Sequence, residues 1–395
     1  MIRRIRSKKN KKRVFVGVSG GVDSSVSAAL LKDQDYAVVG VFIRTWQPDF
    51  LECNWREDRK DAMRVCAKLD IPFRELDLQE EYKRDVVDYM IDEYKRGRTP
   101  NPDVMCNKHI KFGAFLNWAL KNGADYIATG HYTRIEHNDL SQKSQVPNSK
   151  SQTNSKSQIQ NFKLKTKNYR LLTGFDPTKD QSYFLWTLTQ DQLSKIIFPV
   201  GSYKKTEVRQ LARKFDLSTA DKKDSQGVCF LGKIDMKEFL SHYIPENKGD
   251  ILDEAGDTIG WHPGAAFFTL GERHGFEISL KSTNESPYYV VDKDVDTNTL
   301  VVAHQPSIIT ASTKSTNKNL REIEIENVNW IADKPKTDKT YQARIRHLGR
   351  FYDCEVISLG KEKATIEFKE SILASAGQSL VLYEDDICLG GGIIT

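Results

Sequence analysis

After a basic leader, apolar residues run from Val14 to Val18, break at Ser19-Gly20-Gly21, and resume as small apolar positions from Val26 to Leu31. That pattern predicts a short buried strand, a tight turn and a helix. Residues 37–43 form a second continuous apolar strand. Within residues 58–69, apolar positions 62, 63, 65, 66 and 69 recur at helical spacing. Residues 72–78 read as a third strand and 80–96 as a charged amphipathic helix. Residues 97–107, holding Pro100 and Pro102, read as a loop. A helix then runs through Leu120 to Asn122-Gly123, and a strand covers 126–131. Strands alternating with helices predict an α/β fold with a doubly wound parallel sheet. Ligands of such sheets sit at the carboxyl ends of the strands, where residues 17–25, Ile43 and Gly130 fall.

The texture then changes twice. Residues 140–167 are rich in Ser, Gln, Asn and Lys, with six lysines and no acid, and predict a flexible surface insertion. A strand resumes at 169–172, Thr189 and Gln192 have capping-box spacing, and 206–215 reads as a helix. From about residue 233 glycine turns separate short strands such as 288–291 and 300–303. Alternation at Ile323/Ile325, Ala343/Ile345 and Ile366/Phe368 predicts a small antiparallel barrel. The expected division is a basic disordered arm at 1–13, a nucleotide-binding domain at 14–230, a β-rich central domain at 231–305 and a C-terminal β-barrel at 306–395.

Charge does little to identify a partner. The first thirteen residues hold eight Lys/Arg; without those eight, the 59 basic residues fall to 51 against 54 acidic ones. Only local basic patches are left to bind nucleic acid. No apolar run approaches a membrane span. Six cysteines (53, 66, 106, 229, 354, 388) contain no C-x-x-C pair, which disfavours a zinc site and fits a reduced, cytoplasmic setting.

Three stretches carry chemistry. The turn at Gly17, Val18, Ser19, Gly20, Gly21, Val22, Asp23 and Ser24 aims backbone N–H groups and a helix start at one spot, which suits phosphate. Its spacing is neither the Walker loop nor the dinucleotide pattern. A carboxylate at Asp23 beside polyphosphate calls for a cation, read as Mg²⁺; the plain alternative is a ligand-free glycine turn. In residues 98–108, Asp103 and Cys106 stand one helical turn apart, and Lys108 and His109 favour a thiolate on Cys106. In residues 222–230, Cys229 follows Lys222, Lys223 and a glycine, again an electropositive place. Polar flanks argue against the alternative of buried, inert thiols at these two sites; Cys66, Cys354 and Cys388 read as core.

Ser-Gly-Gly-x-Asp-Ser resembles the pyrophosphate loop of the N-type ATP pyrophosphatases, with their adenine nucleotide α-hydrolase-like fold. GRTPNPDVMCNKHIKF, ATGHYTR, KDQSYFLW, FPVGSYKKTEVRQLA, DSQGVCFLG and TLGERHG extend that resemblance to the tRNA-specific 2-thiouridylases. The resemblance implies ATP on residues 17–24, Ile43 and Gly130, and a target uracil on Asn101, Pro102 and Asp103. It implies Cys106 as nucleophile, Cys229 as persulfide carrier and Asp103 as acid or base. It also implies tRNA contacts at Lys179, Asp180, Gln181, Arg346 and His347. Residues 344 and 346 share one face if that segment is a strand, a possible phosphate grip.

The implied partners are a tRNA anticodon loop and a persulfide donor such as a cysteine desulfurase or sulfur-relay protein. Monomer is the default, with no membrane association. An iron–sulfur cluster on Asp103, Cys106 and Cys229 is chemically reasonable but ranks below the persulfide route. Rival readings are another ATP pyrophosphatase acting on tRNA, such as a lysidine synthetase, and a non-catalytic RNA-binding protein.

Overall fold

A computed structural model describes residues 11–50, 55–138, 168–224, 236–279, 286–304 and 320–395. The chain begins β1 (Arg13–Gly17), α1 (Val22–Asp33), β2 (Ala37–Arg44), α2 (Trp55–Lys68) and β3 (Phe73–Asp77). Helix α3 joins Gln79–Tyr82, Lys83–Asp88 and Tyr89–Lys95, with a π-helical middle. Helix α4 joins Pro102–Met105, a π-helical Cys106–Ala114 and Phe115–Lys121. Then come β4 (Tyr126–Ala128), β5 (Thr133–Asn138), β6 (Asn168–Thr173), α5 (Gln190–Leu193), β7 (Ile196–Ile197) and α6 (Lys205–Lys214).

The parallel sheet has the order β3-β2-β1-β4-β7. Phe15, Val41 and Ile127 pack on one face with Met90 of α3 and Phe115 of α4. Val14, Val16, Val38 and Phe42 pack on the other with Val26 of α1 and Val65 of α2. Both faces are covered, so the strands read as unbroken apolar runs rather than alternating ones. From β1 the chain steps outward to β3 and then returns to β4 on the far side. The order therefore reverses between β1 and β4, and the crevice lies at their carboxyl ends.

The central domain holds α7 (Met236–Ser241), β8 (Gly249–Leu252), β9 (Thr258–His262), β10 (Glu277–Ile278), β11 (Tyr289–Asp294) and β12 (Thr299–Ala303), in sheet order β10-β9-β8-β12-β11. The last six strands are β13 (Leu320–Trp330), β14 (Thr340–Arg344), β15 (Tyr352–Leu359), β16 (Lys363–Ile372), β17 (Ser379–Glu384) and β18 (Ile387–Ile394). They run antiparallel and close into a barrel where β18 meets β13. The expected fold class holds in all three parts.

Three local expectations need correction. The loop predicted over 97–107 ends at Asn101, whose Oδ1 accepts the Val104 N–H at 3.2 Å, while Pro102 fills the first helical position where no donor is needed. The strand at 169–172 leaves the parallel sheet. It forms a hairpin with β5 and pairs with β18, tying the first domain to the barrel; the fifth parallel strand is the two-residue β7, too short to show in a pattern. Finally, residues 344 and 346 are not a shared phosphate grip. Arg344 is buried, pairs with Asp180 at 2.7 Å and stacks over Phe351 at 4.0 Å, and only Arg346 is exposed. An internal carboxylate explains the break in alternation.

Residues 1–10 of the basic arm, the 140–167 insertion, Cys53 and Cys229 lie outside the described residues. Cys66, Cys354 and Cys388 are buried; burial pushes the Cys66 thiol up to about 11 and the Cys354 thiol up to about 12, as expected of core thiols. Among the described residues no helix is long and apolar enough to cross a membrane.

Candidate active site

The turn between β1 and α1 is held by its own hydroxyls. Ser24 Oγ donates to the Gly21 carbonyl at 3.1 Å and accepts the Ser19 N–H at 3.2 Å, and Ser25 Oγ donates to the same carbonyl at 2.7 Å. Gly20 has φ +75°, and a Cβ there would lie 2.3 Å from the Asp58 carbonyl oxygen. Gly130, just past β4, is pressed onto the start of α1; its Cβ would lie 2.7 Å from Ser24 N and 2.9 Å from Asp23 Cβ. A Cβ on Gly17 would meet Phe115 at 3.6 Å and Ile43 at 3.9 Å. The residues predicted to cradle ATP therefore do gather at the switch point.

Asp23 is bonded within the protein. Lys205 Nζ donates to both of its carboxylate oxygens at 2.8 Å, and the Tyr132 hydroxyl donates to Oδ1 at 2.7 Å. Lys205 thus places a protein cation against this carboxylate. Lys205 also reaches Asp224 at 2.9 Å, where Arg209 (2.7 Å) and Lys179 (3.0 Å) converge. Burial pushes the Asp224 carboxyl up, but hydrogen bonds from Lys205 and Lys179 outweigh it and hold it at about 2. Lys222 is tied to Asp58 and Asp61, each at 2.7 Å. Its charge is therefore neutralised at α2.

The Asn101–Asp103 turn opens α4. Asn101 hydrogen-bonds Tyr183, whose hydroxyl donates to the Ser379 carbonyl of the barrel at 2.7 Å. Burial raises the Asp103 carboxyl above the usual range, partly offset by Lys111. Cys106 begins the π-helical segment and is 6% exposed, within the main core beside Val104 and Met105. Polar neighbours in sequence did not predict that enclosure. The same helix carries Phe115, whose ring lies 3.6 Å from where a Cβ on Gly17 would sit; Phe115 is nine positions on from Cys106, at most about 13 Å of helix axis.

The segments assigned to tRNA, far apart in sequence, meet here. The His347 ring lies over Phe184 at 4.2 Å and near Tyr183 at 6.4 Å. Asp180 is 1% exposed; its carboxylate accepts N–H groups of Gly174 (2.9 Å) and Ser182 (3.1 Å) besides Arg344. Its side chain organises the neighbourhood from within, leaving Arg346 toward solvent, while Lys179 is partly buried against Asp224. Sequence reasoning did not single out Tyr132, Lys205, Arg209, Asp224, Lys111 or Tyr183. The one available signal was Lys205 and Arg209, four apart on one face of α6.

A doubly wound sheet with a Ser-Gly-Gly-x-Asp-Ser turn at its switch point, followed by two β modules, defines a nucleotide-using α/β enzyme. Family models match in the same order: a tRNA methyl transferase HUP domain over 12–233, a tRNA methyl transferase PRC-barrel domain over 237–304 and an aminomethyltransferase β-barrel domain over 320–394. The tRNA-specific 2-thiouridylase MnmA of Proteus mirabilis is 42% identical over 98% of both chains. That of Francisella tularensis subsp. novicida is 40% identical over 97% of this chain and 99% of its own. Among solved structures, the U34-tRNA thiolase NcsA of Methanococcus maripaludis aligns at 16% identity over 56% of this chain and 61% of its own, with TM-score 0.34. The chain belongs to the tRNA-specific 2-thiouridylase family.

Proposed function

We propose that this protein replaces the C2 oxygen of the wobble uridine of tRNA by sulfur, at the expense of ATP. The observation that carries the reading is the bonded line from Asp23 through Lys205 to Asp224. It anchors the start of the Cys229 segment at the nucleotide loop, while α4 brings Cys106 from the other side. Cys229 is five positions on from Asp224, about 17 Å of fully extended chain.

A uracil C2 carbonyl is a weak electrophile with no usable leaving group. Supplied with ATP as its Mg²⁺ complex, the enzyme lets the uracil oxygen attack the α-phosphate and release pyrophosphate. The loop N–H groups and Lys205 offset the phosphate charge. Asp103, which keeps its proton to higher pH than an ordinary carboxyl, holds and moves a proton at the base. The Cys106 thiolate attacks the inner sulfur of a Cys229 persulfide, forming the Cys106–Cys229 disulfide and releasing HS⁻. HS⁻ adds at C2, AMP departs with the original oxygen, and a thiol reductant resets the disulfide. Anticodon-loop bases are single-stranded, so the uridine can be splayed into the pocket. Asn101 and Pro102 receive it, while Lys179, Gln181, Arg346 and His347 hold the RNA.

A cysteine desulfurase or a sulfur-relay protein loads Cys229, and the enzyme works as a cytoplasmic monomer. The methyl transfer in the family-model descriptions has no use for a polyphosphate loop, which favours thiolation. The test is mass spectrometry of nucleosides from unthiolated tRNA incubated with ATP, Mg²⁺ and a persulfide donor. Wild type yields 2-thiouridine, Cys106→Ser yields none, and Cys229→Ala recovers partly with free sulfide. Absence of 2-thiouridine from the wild type overturns the reading.

A further inference from the structure

Lys111 lies in the π-helical part of α4, five residues after Cys106, the spacing that i→i+5 bonding brings one turn apart. Its Nζ is 3.5 Å from His131 Nε2. His131 is buried against Phe112 (5.6 Å) and Phe198 (5.9 Å), and its Nδ1 is 2.7 Å from Thr129 Oγ1. An ammonium only donates, so Nε2 accepts and Nδ1–H donates to Thr129. Burial, reinforced by the Lys111 charge, holds His131 well below its usual range, so the ring is neutral and does not offset the lysine. Among the described residues no carboxylate is ion-paired with Lys111; Asp103 only feels its field. The neighbouring basic groups offer no second cation here: Lys108 is exposed, and burial, reinforced by the Lys108 charge, holds His109 below its usual range.

The lysine's place follows from its neighbours. His131 succeeds Gly130, which is pressed against Ser24 of the nucleotide loop, and Asp103 begins the helix that Lys111 shares. Lys111 therefore stands between the loop that takes phosphate and the turn that takes the base. An adenylated uracil must span that interval, with its C2–O–P bridge in the middle.

We propose that Lys111 binds the phosphoryl oxygens of the adenylated uridine and stabilises AMP as the leaving group during attack by sulfide. A half-buried ammonium without a carboxylate is costly until an anion arrives, which makes it selective for the charged intermediate. Lys111 helps little in binding ATP or tRNA, because the bridging phosphoryl is in place only after adenylation.

The inference rests on the thiolation reading, and steady-state thiolation of unmodified tRNA with ATP and sulfide separates the two. Lys111→Met is expected to lower kcat about 100-fold or more, with KM for ATP and for tRNA within about threefold of wild type. Lys111→Arg, which keeps the charge, is expected to recover at least a tenth of wild-type kcat. Should Lys111→Met fail to fold, Lys111→Gln poses the same question with a polar side chain. Wild-type kcat in a folded neutral variant, a defect confined to KM, or no rescue by arginine overturns the role of Lys111. No thiolation by the wild type overturns the function itself.

Discussion

Replacing Lys205 by Met removes an ammonium while keeping its aliphatic stem, and strands two carboxylates. The ammonium bonds both oxygens of Asp23 at 2.8 Å and lies 2.9 Å from Asp224. Charge-assisted bonds contribute about 1.5–3 kcal/mol each. Both Asp side chains are 30% exposed, so solvent screening favours the low end. A loss of about 2 kcal/mol in ATP affinity follows, roughly 30-fold in Kd, because an unneutralised Asp23 then faces polyphosphate. Isothermal titration with ATP and Mg²⁺ reads it, with the exposed neighbour Lys204→Met as control. Adding Asp23→Asn to Lys205→Met is expected to restore part of the loss, since it removes the repulsion that the first change uncovers. An unchanged Kd in Lys205→Met refutes the claim that this lysine, rather than a protein-bound metal, balances the loop.

Gly130→Ala forces a methyl to within 2.9 Å of α1 backbone and Asp23 Cβ; ATP–pyrophosphate exchange is expected to fall well over tenfold while far-ultraviolet circular dichroism stays unchanged. Arg344→Ala leaves Asp180 buried and uncompensated, a loss of about 3–5 kcal/mol by urea unfolding, whereas Arg344→Met with Asp180→Asn loses less. Asp224 has a folded value near 2 against an unfolded 3.8, so its contribution is present above 3.8 and disappears as pH falls toward 2. Asp224→Asn is therefore expected to flatten that part of the stability–pH curve, and a curve parallel to wild type contradicts the assignment.

Much of the architecture was legible because both faces of the parallel sheet are covered, which writes β1 and β2 as short, valine-rich apolar runs bounded by turn residues. The phosphate loop was legible for a different reason: Gly20 needs a positive φ, and few residues substitute for it there. The ion network was hidden, since pairing Asp23 with Lys205 joins positions 182 apart through the fold. Arg344 misled because period-two reasoning assigns a charge to the solvent side, and only the buried Asp180 reverses that. The π-helical register at Cys106 leaves no compositional trace. Its burial came instead from helix α4 starting six residues earlier than the sequence pattern indicated, which carried the thiol into the core.

The most direct test of the two-thiol account is peptide mapping by mass spectrometry after one turnover with persulfide-loaded protein, ATP and tRNA, quenched by alkylation without reductant. The account predicts an intramolecular disulfide joining the Cys106 and Cys229 peptides in amount matching the 2-thiouridine formed. Full thiolation with both cysteines recovered as alkylated thiols contradicts it.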